Sequence, residues 1–233
     1  MSRRRAKGFK DFKRRKAHRR ERDRVLIVTE GKKTEPSYFN HLIRELGLTT
    51  AKVRIAGDGG SAPVSVLDTA KEYLDEDDDY EQIYLVFDRD NHASYDEALT
   101  RVQGLSERRS FGSKTILAAP SVPCFEVWYA LHIADSCRPY QGTQRASPAK
   151  ELITALEKQQ INGRAIFQNY DKSDCSAFFQ EISQYRDDAK RRSARILREA
   201  ENRGDQTYHE NPSTRVHLIV EALERLAQAD EPS

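Results

Sequence analysis

The sequence has little cysteine. Cys124, Cys137 and Cys175 are three in number, far apart, and lack the paired spacing that a zinc site or a disulfide framework requires. Reduced and largely buried thiols are expected. No run approaches the roughly 20 apolar residues of a membrane span, and the basic N-terminus is not followed by an apolar stretch with a cleavage site, so a cytoplasmic location without a membrane partner is expected. Internal repeats are also lacking. Apolar material is not: 37% of the 233 residues are hydrophobic, grouped in runs such as VLIV, IYLVF and TILAA, which excludes a chain disordered throughout.

Charge of one sign is scarce in the body of the chain and abundant at its start. Of 39 Lys and Arg and 37 Asp and Glu, thirteen basic and three acidic residues fall in 1–24, a net of +10, leaving 26 basic and 34 acidic, a net of −8. So dense a like charge with few apolar residues predicts a disordered tail. Arg3, Arg4, Arg5, Arg14, Arg15 and Lys16 suit a polyanion, because each phosphate contact releases condensed counterions. A tail that aids solubility or touches an acidic protein is the other reading.

Beyond the tail, short apolar runs alternate with helical patterns. VLIVT (25–29), KVRIA (52–56), IYLVFD (83–88) and KTILAAP (114–120) read as strands. Between them, Tyr38, Phe39, Leu42, Ile43 and Leu46 form a helical face ending at Gly47, a second helix follows the glycine-rich turn GDGGSAP, and a third covers 93–108. The acidic run 75–81 is read as a solvated loop, since negative charge is unfavourable at a helix C-terminus. This β-α-β-α-β-α-β series predicts an α/β fold with a mostly parallel sheet flanked by helices. From Phe125 onward the pattern is helical: FEVWYALHI, a segment over 147–159, a charged segment over 173–202, and a final helix opening at Asn211-Pro212-Ser213. The division expected is a tail (1–24), an α/β catalytic domain (25–135) and a helical C-terminal region packed on it (136–233).

Ligands of open α/β sheets sit beyond the carboxyl ends of the strands. Glu30 directly follows the first strand and Asp88 and Asp90 follow the third, so three carboxylates share one crevice. Such a cluster repels itself, and hard oxygen ligands around Mg²⁺ or Mn²⁺ relieve that repulsion while leaving sites for water and phosphate. Gly31 removes bulk beside Glu30, and Lys32 and Lys33 stand where they could bind a phosphate. Glu126, at the start of a helix near the same edge and ringed by apolar residues, is a further ligand or water-orienting base. Lys172 in NYDKSD is a candidate phosphate or transition-state contact, or an exposed residue at a helix start capped by Ser173. His132 reads as a core histidine. Lys190, Arg191, Arg192, Arg195 and Arg198 form either a nucleic-acid surface or a solvated face paired with acids.

The segments VLIVTEGKKTEPSYFNHL, VFDRDNH, APSVPCFEVWYALH and NPSTRVHLIVEAL, in this order over about residues 24–227, resemble the RloB family of Toprim-domain proteins, akin to the toxin component of AbiL-type abortive-infection systems and related to OLD-type nucleases. The resemblance implies a Toprim-like sheet with a helical extension. It also implies a metal site on Glu30, Asp88 and Asp90, with Glu35 contributing to a second metal by analogy with OLD-type enzymes, although an acid in a first helical turn also serves as a cap. It further implies a nuclease of RNA, tRNA or DNA in anti-phage defence, with an ABC-type ATPase partner of the RloA kind. Two other classes compete. A haloacid-dehalogenase-like phosphatase also begins with a strand and D-x-D, but has Gly-Thr where this chain has Asn91-His92; a non-catalytic nucleic-acid-binding module would need only the tail.

Overall fold

The computed structural model describes residues 24–49, 53–58, 60, 62–89, 92–108, 113–135 and 138–229. Its first half alternates strand and helix: β1 (Arg24–Thr29), α1 (Thr34–Glu45), β2 (Val53–Ala56), α2 (Pro63–Glu76), β3 (Tyr80–Val86), α3 (Tyr95–Ser106) and β4 (Thr115–Ala118). The four strands form one sheet in the order β2-β1-β3-β4 with every pair parallel. The alternation expected from the sequence is thus an α/β fold with helices on both sheet faces.

The run VLIV explains why β1 lies at the centre. Side chains of a strand alternate between faces. Val25 and Ile27 enter one core with Tyr38, Phe39 and Leu42 of α1, while Leu26 and Val28 enter a second core with Val66 and Leu67 of α2 and Ala98 and Val102 of α3. All four are fully buried. Burying a side chain of this size stabilises by about 1.5–3 kcal/mol, which is large beside a net stability of roughly 5–15 kcal/mol.

The second half comprises β5 (Ser121–Val122), α4 (Glu126–Ile133), α5 (Pro148–Leu156), α6 (Ser176–Ser183), α7 (Arg186–Arg203), β6 (Ser213–Thr214) and α8 (Val216–Gln228). These elements extend the first core without a break: Trp128 and Tyr129 of α4, Phe178 and Phe179 of α6, and Val220 and Leu223 of α8 join the cluster that contains Val25 and Ile27. Tyr38 stands at its centre, its ring within 6.2 Å of those of Phe39, Phe125, Trp128, Tyr129 and Phe179.

Three local expectations are corrected. Only 77–79 of the run 75–81 form a turn: α2 continues through Glu76, because buried Leu74 anchors its last turn, and β3 begins at buried Tyr80. Between them Asp77 pairs with Arg24, Nη2 to Oδ2 2.8 Å, which neutralises charge there. The charged segment is two helices, α6 and α7, separated by a turn in which the Tyr185 amide donates to the Ile182 carbonyl. The last helix does not open at Asn211-Pro212-Ser213. Ser213–Thr214 instead pairs antiparallel with Ser121–Val122, Asn211 clamps the backbone of Tyr140 through both ends of its amide, and the Thr214 hydroxyl accepts from the Val216 amide.

His132 and His217 lie in this core, 1% and 4% exposed. His132 Nδ1 is 2.8 Å from the Trp128 carbonyl, and His217 Nδ1 is 3.0 Å from the Ser193 hydroxyl. Burial pushes them from 6.5 down to about 3 and about 4. The unfolded chain takes up protons that the folded chain refuses, so the stability they contribute is complete above pH 6.5 and is lost as the pH falls through the window toward 4 and then 3. The urea midpoint should fall across that window, and His217→Asn should flatten the fall. An unchanged pH profile in that variant would remove His217 from the account.

Candidate functional site

Beyond the carboxyl ends of β1 and β3 lies a cavity of about 640 Å³, lined by Glu30, Gly31, Lys32, Lys33, Thr34, Glu35, Gly60, Asp88, Phe125, Glu126 and Lys172. It sits at the switch point of the sheet, where the chain leaves β1 toward β2 and leaves β3 toward β4. Parallel pairing continues past the strands to fix its walls: the Glu30 amide donates to Val86, Ser121 to Phe87 and Arg89 to Ser121. The short β5–β6 pair then holds the chain that leads into α4.

Four carboxylates reach this cavity, from the ends of β1 and β3 and the first turns of α1 and α4. Glu30 has both oxygens directed to the segment after β3: Oε2 accepts from the Asp88 amide at 3.1 Å, and Oε1 is 3.2 Å from His92 Nε2. Glu35 and Glu126 stand in the first turns of α1 and α4, where the positive end of the helix dipole favours a carboxylate. A Cβ at Gly31 would lie 2.4 Å from Glu35 Oε2, so any side chain there would displace that carboxylate. Glu126, 1% exposed, is met by the Tyr170 hydroxyl at 3.1 Å and by Lys172 Nζ at 3.3 Å, both on the same oxygen. Asp88 is the exception: its Oδ1 is buried and accepts no hydrogen bond among the described residues.

The electrostatics follow from this crowding. Burial, with Glu126 and Glu30 adding to it, pushes the Glu35 carboxyl up to about 7, although its own amide and that of Gly31 oppose the rise. Asp88 is pushed well above the usual carboxylate range by burial and then by Glu35, Glu126 and Glu30, against Lys172. Burial works to lower the Lys172 ammonium, but Glu126, Cys124 and Asp88 together hold it above its ordinary value. A buried, unpartnered carboxylate oxygen among other carboxylates fits a hard divalent cation, which such oxygens bind. Among the described residues no three His, Cys, Asp or Glu groups close into a finished ligand shell. Glu30 and Glu126 are instead met by protein donors: the Asp88 amide and His92, and Tyr170 and Lys172.

Of the residues singled out in the sequence, the structure brings Glu30, Glu35, Asp88, Glu126, Lys172, Lys32 and Lys33 to one cavity. Asp90 lies outside the described residues, as do Arg3, Arg4, Arg5, Arg14, Arg15, Lys16 and Cys137. Ser173 does not cap a helix beside Lys172; it bonds Asp171, and α6 starts at Ser176. On α7 the paired alternative holds: Lys190 meets Glu224, Arg191 meets Asp188 and Arg195 meets Asp135, while Arg192 donates to the Leu131 and His132 carbonyls at the end of α4.

Sequence reasoning missed His92 and Tyr170 as neighbours of Glu30 and Glu126. The one signal available was their closeness in sequence to Asp88 and Lys172. It also missed a clamp on the segment carrying Asp88: Arg89 donates to the His209 carbonyl at 3.2 Å, the Tyr95 hydroxyl to Tyr208 at 2.7 Å, and His209 Nε2 is 2.8 Å from Asp96.

No helix among the described residues is long and apolar enough to cross a membrane. No curated protein and no solved structure matches the chain. The family model of RloB-like proteins matches residues 25–223, the segment that contains every wall of the cavity, and the chain belongs to that family.

Proposed function

We propose that the chain is a nuclease of the Toprim type, a phosphodiesterase dependent on Mg²⁺ or Mn²⁺. The observation that carries this reading is the buried, unpartnered Oδ1 of Asp88 at the meeting point of Glu30, Glu35 and Glu126. Asp88 with Glu35 and Glu30, joined by Asp90, would hold the ion. When bound, it would activate water and stabilise the leaving oxygen of a phosphodiester.

The chain's own residues supply the rest. Lys32 and Lys33, exposed at the mouth, attract the nucleic-acid backbone. Lys172 offers its ammonium to the charge that develops on the reacting phosphate. Glu126, or Glu30 if it does not complete the metal site, would take or return a proton at the attacking water. Likeness to the family supports RNA, tRNA or DNA as substrate, a role in abortive anti-phage defence and an ABC-type ATPase partner of the RloA kind.

The test is cleavage of end-labelled tRNA, single-stranded RNA and DNA with Mg²⁺, Mn²⁺ or chelator, in wild type, Glu30→Ala and Asp88→Ala. Chelation should abolish cleavage, and each variant should cut at least about 100-fold more slowly, a loss of roughly 2.7 kcal/mol of transition-state stabilisation. Cleavage retained in both variants would place the chemistry elsewhere. Tight binding without cleavage under any metal would favour a binding module.

A further inference from the structure

We infer that His92 is a positioning residue that holds Glu30 in the orientation its role at the metal requires; this rests on the metal-site reading above. The two oxygens of Glu30 are treated differently. One accepts the Asp88 amide, a backbone group that any residue at 88 would supply; the other meets the His92 ring, 3.2 Å from Nε2. The backbone that carries the ring is itself held. Its amide donates to Arg89 at 3.1 Å, and its carbonyl accepts from Tyr95 at 3.2 Å, so His92 sits in a turn between the end of β3 and the start of α3. Glu30 and Asp88 come from different strands, and His92 ties the first to the segment that carries the second.

An exposed His–Glu pair is ordinarily worth little. This one differs because the Glu30 side chain is only 11% exposed and lines the cavity beside Asp88, Glu35 and Glu126. With Nε2–H donating, one lone pair of Oε1 is occupied and the rotamer is set. Without that donor, repulsion from Asp88 and Glu35 swings Glu30 outward. Partners that orient a ligand in this way typically change metal affinity or activity by about 10–100-fold.

The test compares full-length wild type, His92→Ala and His92→Gln, the last keeping an N–H near the position of Nε2. Mn²⁺ affinity is measured by calorimetry, kcat and KM on labelled RNA or DNA by initial rates, and folding by thermal melts in chelator. His92→Ala should bind Mn²⁺ roughly tenfold more weakly and lose a similar factor in kcat, with KM within about twofold and an unchanged melt. His92→Gln should recover most of both. Equal Mn²⁺ affinity in wild type and His92→Ala, or a Gln variant as poor as Ala, overturns the inference. Calorimetry separates the two readings: a wild type that binds Mn²⁺ but cuts nothing defeats the nuclease assignment and leaves His92 to be decided by its effect on Mn²⁺.

Discussion

Asp88→Asn should slow cleavage about a thousandfold while making the metal-free protein more stable. Under the metal-site reading, the loss follows from removing a carboxylate that would hold the ion, about 4 kcal/mol being a thousandfold in rate. The gain follows from burial and from the neighbouring Glu35, Glu126 and Glu30, which together hold the Asp88 carboxyl well above its ordinary value of 3.8. For an acid raised in the folded state, stability is complete below the unfolded value and is lost as the pH rises through the folded one. At neutral pH the metal-free wild type therefore carries a penalty that a neutral Asn does not. If neutralisation returns about 1 kcal/mol, the melting temperature in chelator should rise by roughly 2–4 °C, and Mn²⁺ should stabilise the wild type more than the variant. Calorimetric melts with and without Mn²⁺ read both effects. A variant that loses stability together with activity would make Asp88 a structural residue.

Residues 24–135 produced alone should not fold cooperatively. That fragment contains the whole parallel sheet, yet the core on one face of it is completed by Phe178, Phe179 and Ile182 of α6 and by Ile219, Val220 and Leu223 of α8. Stripping their cover exposes Tyr38, Phe39, Phe125, Trp128 and Tyr129. At about 1.5–3 kcal/mol for each side chain of that size, the loss equals the entire net stability of an ordinary domain. Near-UV circular dichroism should show no fixed aromatic environment, and urea should produce a gradual change. A sigmoidal transition would show that the sheet and the last four helices have separate cores.

How much of this was legible in the sequence differs between strands, helices and site. VLIVT and IYLVF announced the two central strands, because strands buried on both faces leave continuous apolar runs. The start of α8 was misread, because Asn211-Pro212-Ser213 is a good helix opening by local chemistry alone. Only the pairing of Ser213–Thr214 with Ser121–Val122, 93 residues away at the Ser121–Thr214 hydroxyl contact, overrides it. Glu30 and Asp88 were legible as acids at strand ends, and their meeting follows from the strand order. Glu126 was legible as an acid among apolar residues. Its partner Tyr170 was not, because nothing local in NYDKSD says that this loop returns to α4 across 44 residues. His92 was hidden for the same reason: its partner Glu30 belongs to another strand.

The loop that brings Tyr170 and Lys172 to Glu126 has a consequence for how the molecule is made. Chains fold from the N-terminus as they leave the ribosome. The acids of β1 and β3 emerge early, but the wall that faces them is supplied by residues some 140 positions beyond Glu30, and the core beneath that wall closes only with α8 near the end of the chain. A half-synthesised chain thus carries its acidic residues with no closed core, no enclosing cavity and no Lys172. Completion of the site waits on synthesis of α8, so under the nuclease reading the growing chain stays inert until that helix has emerged.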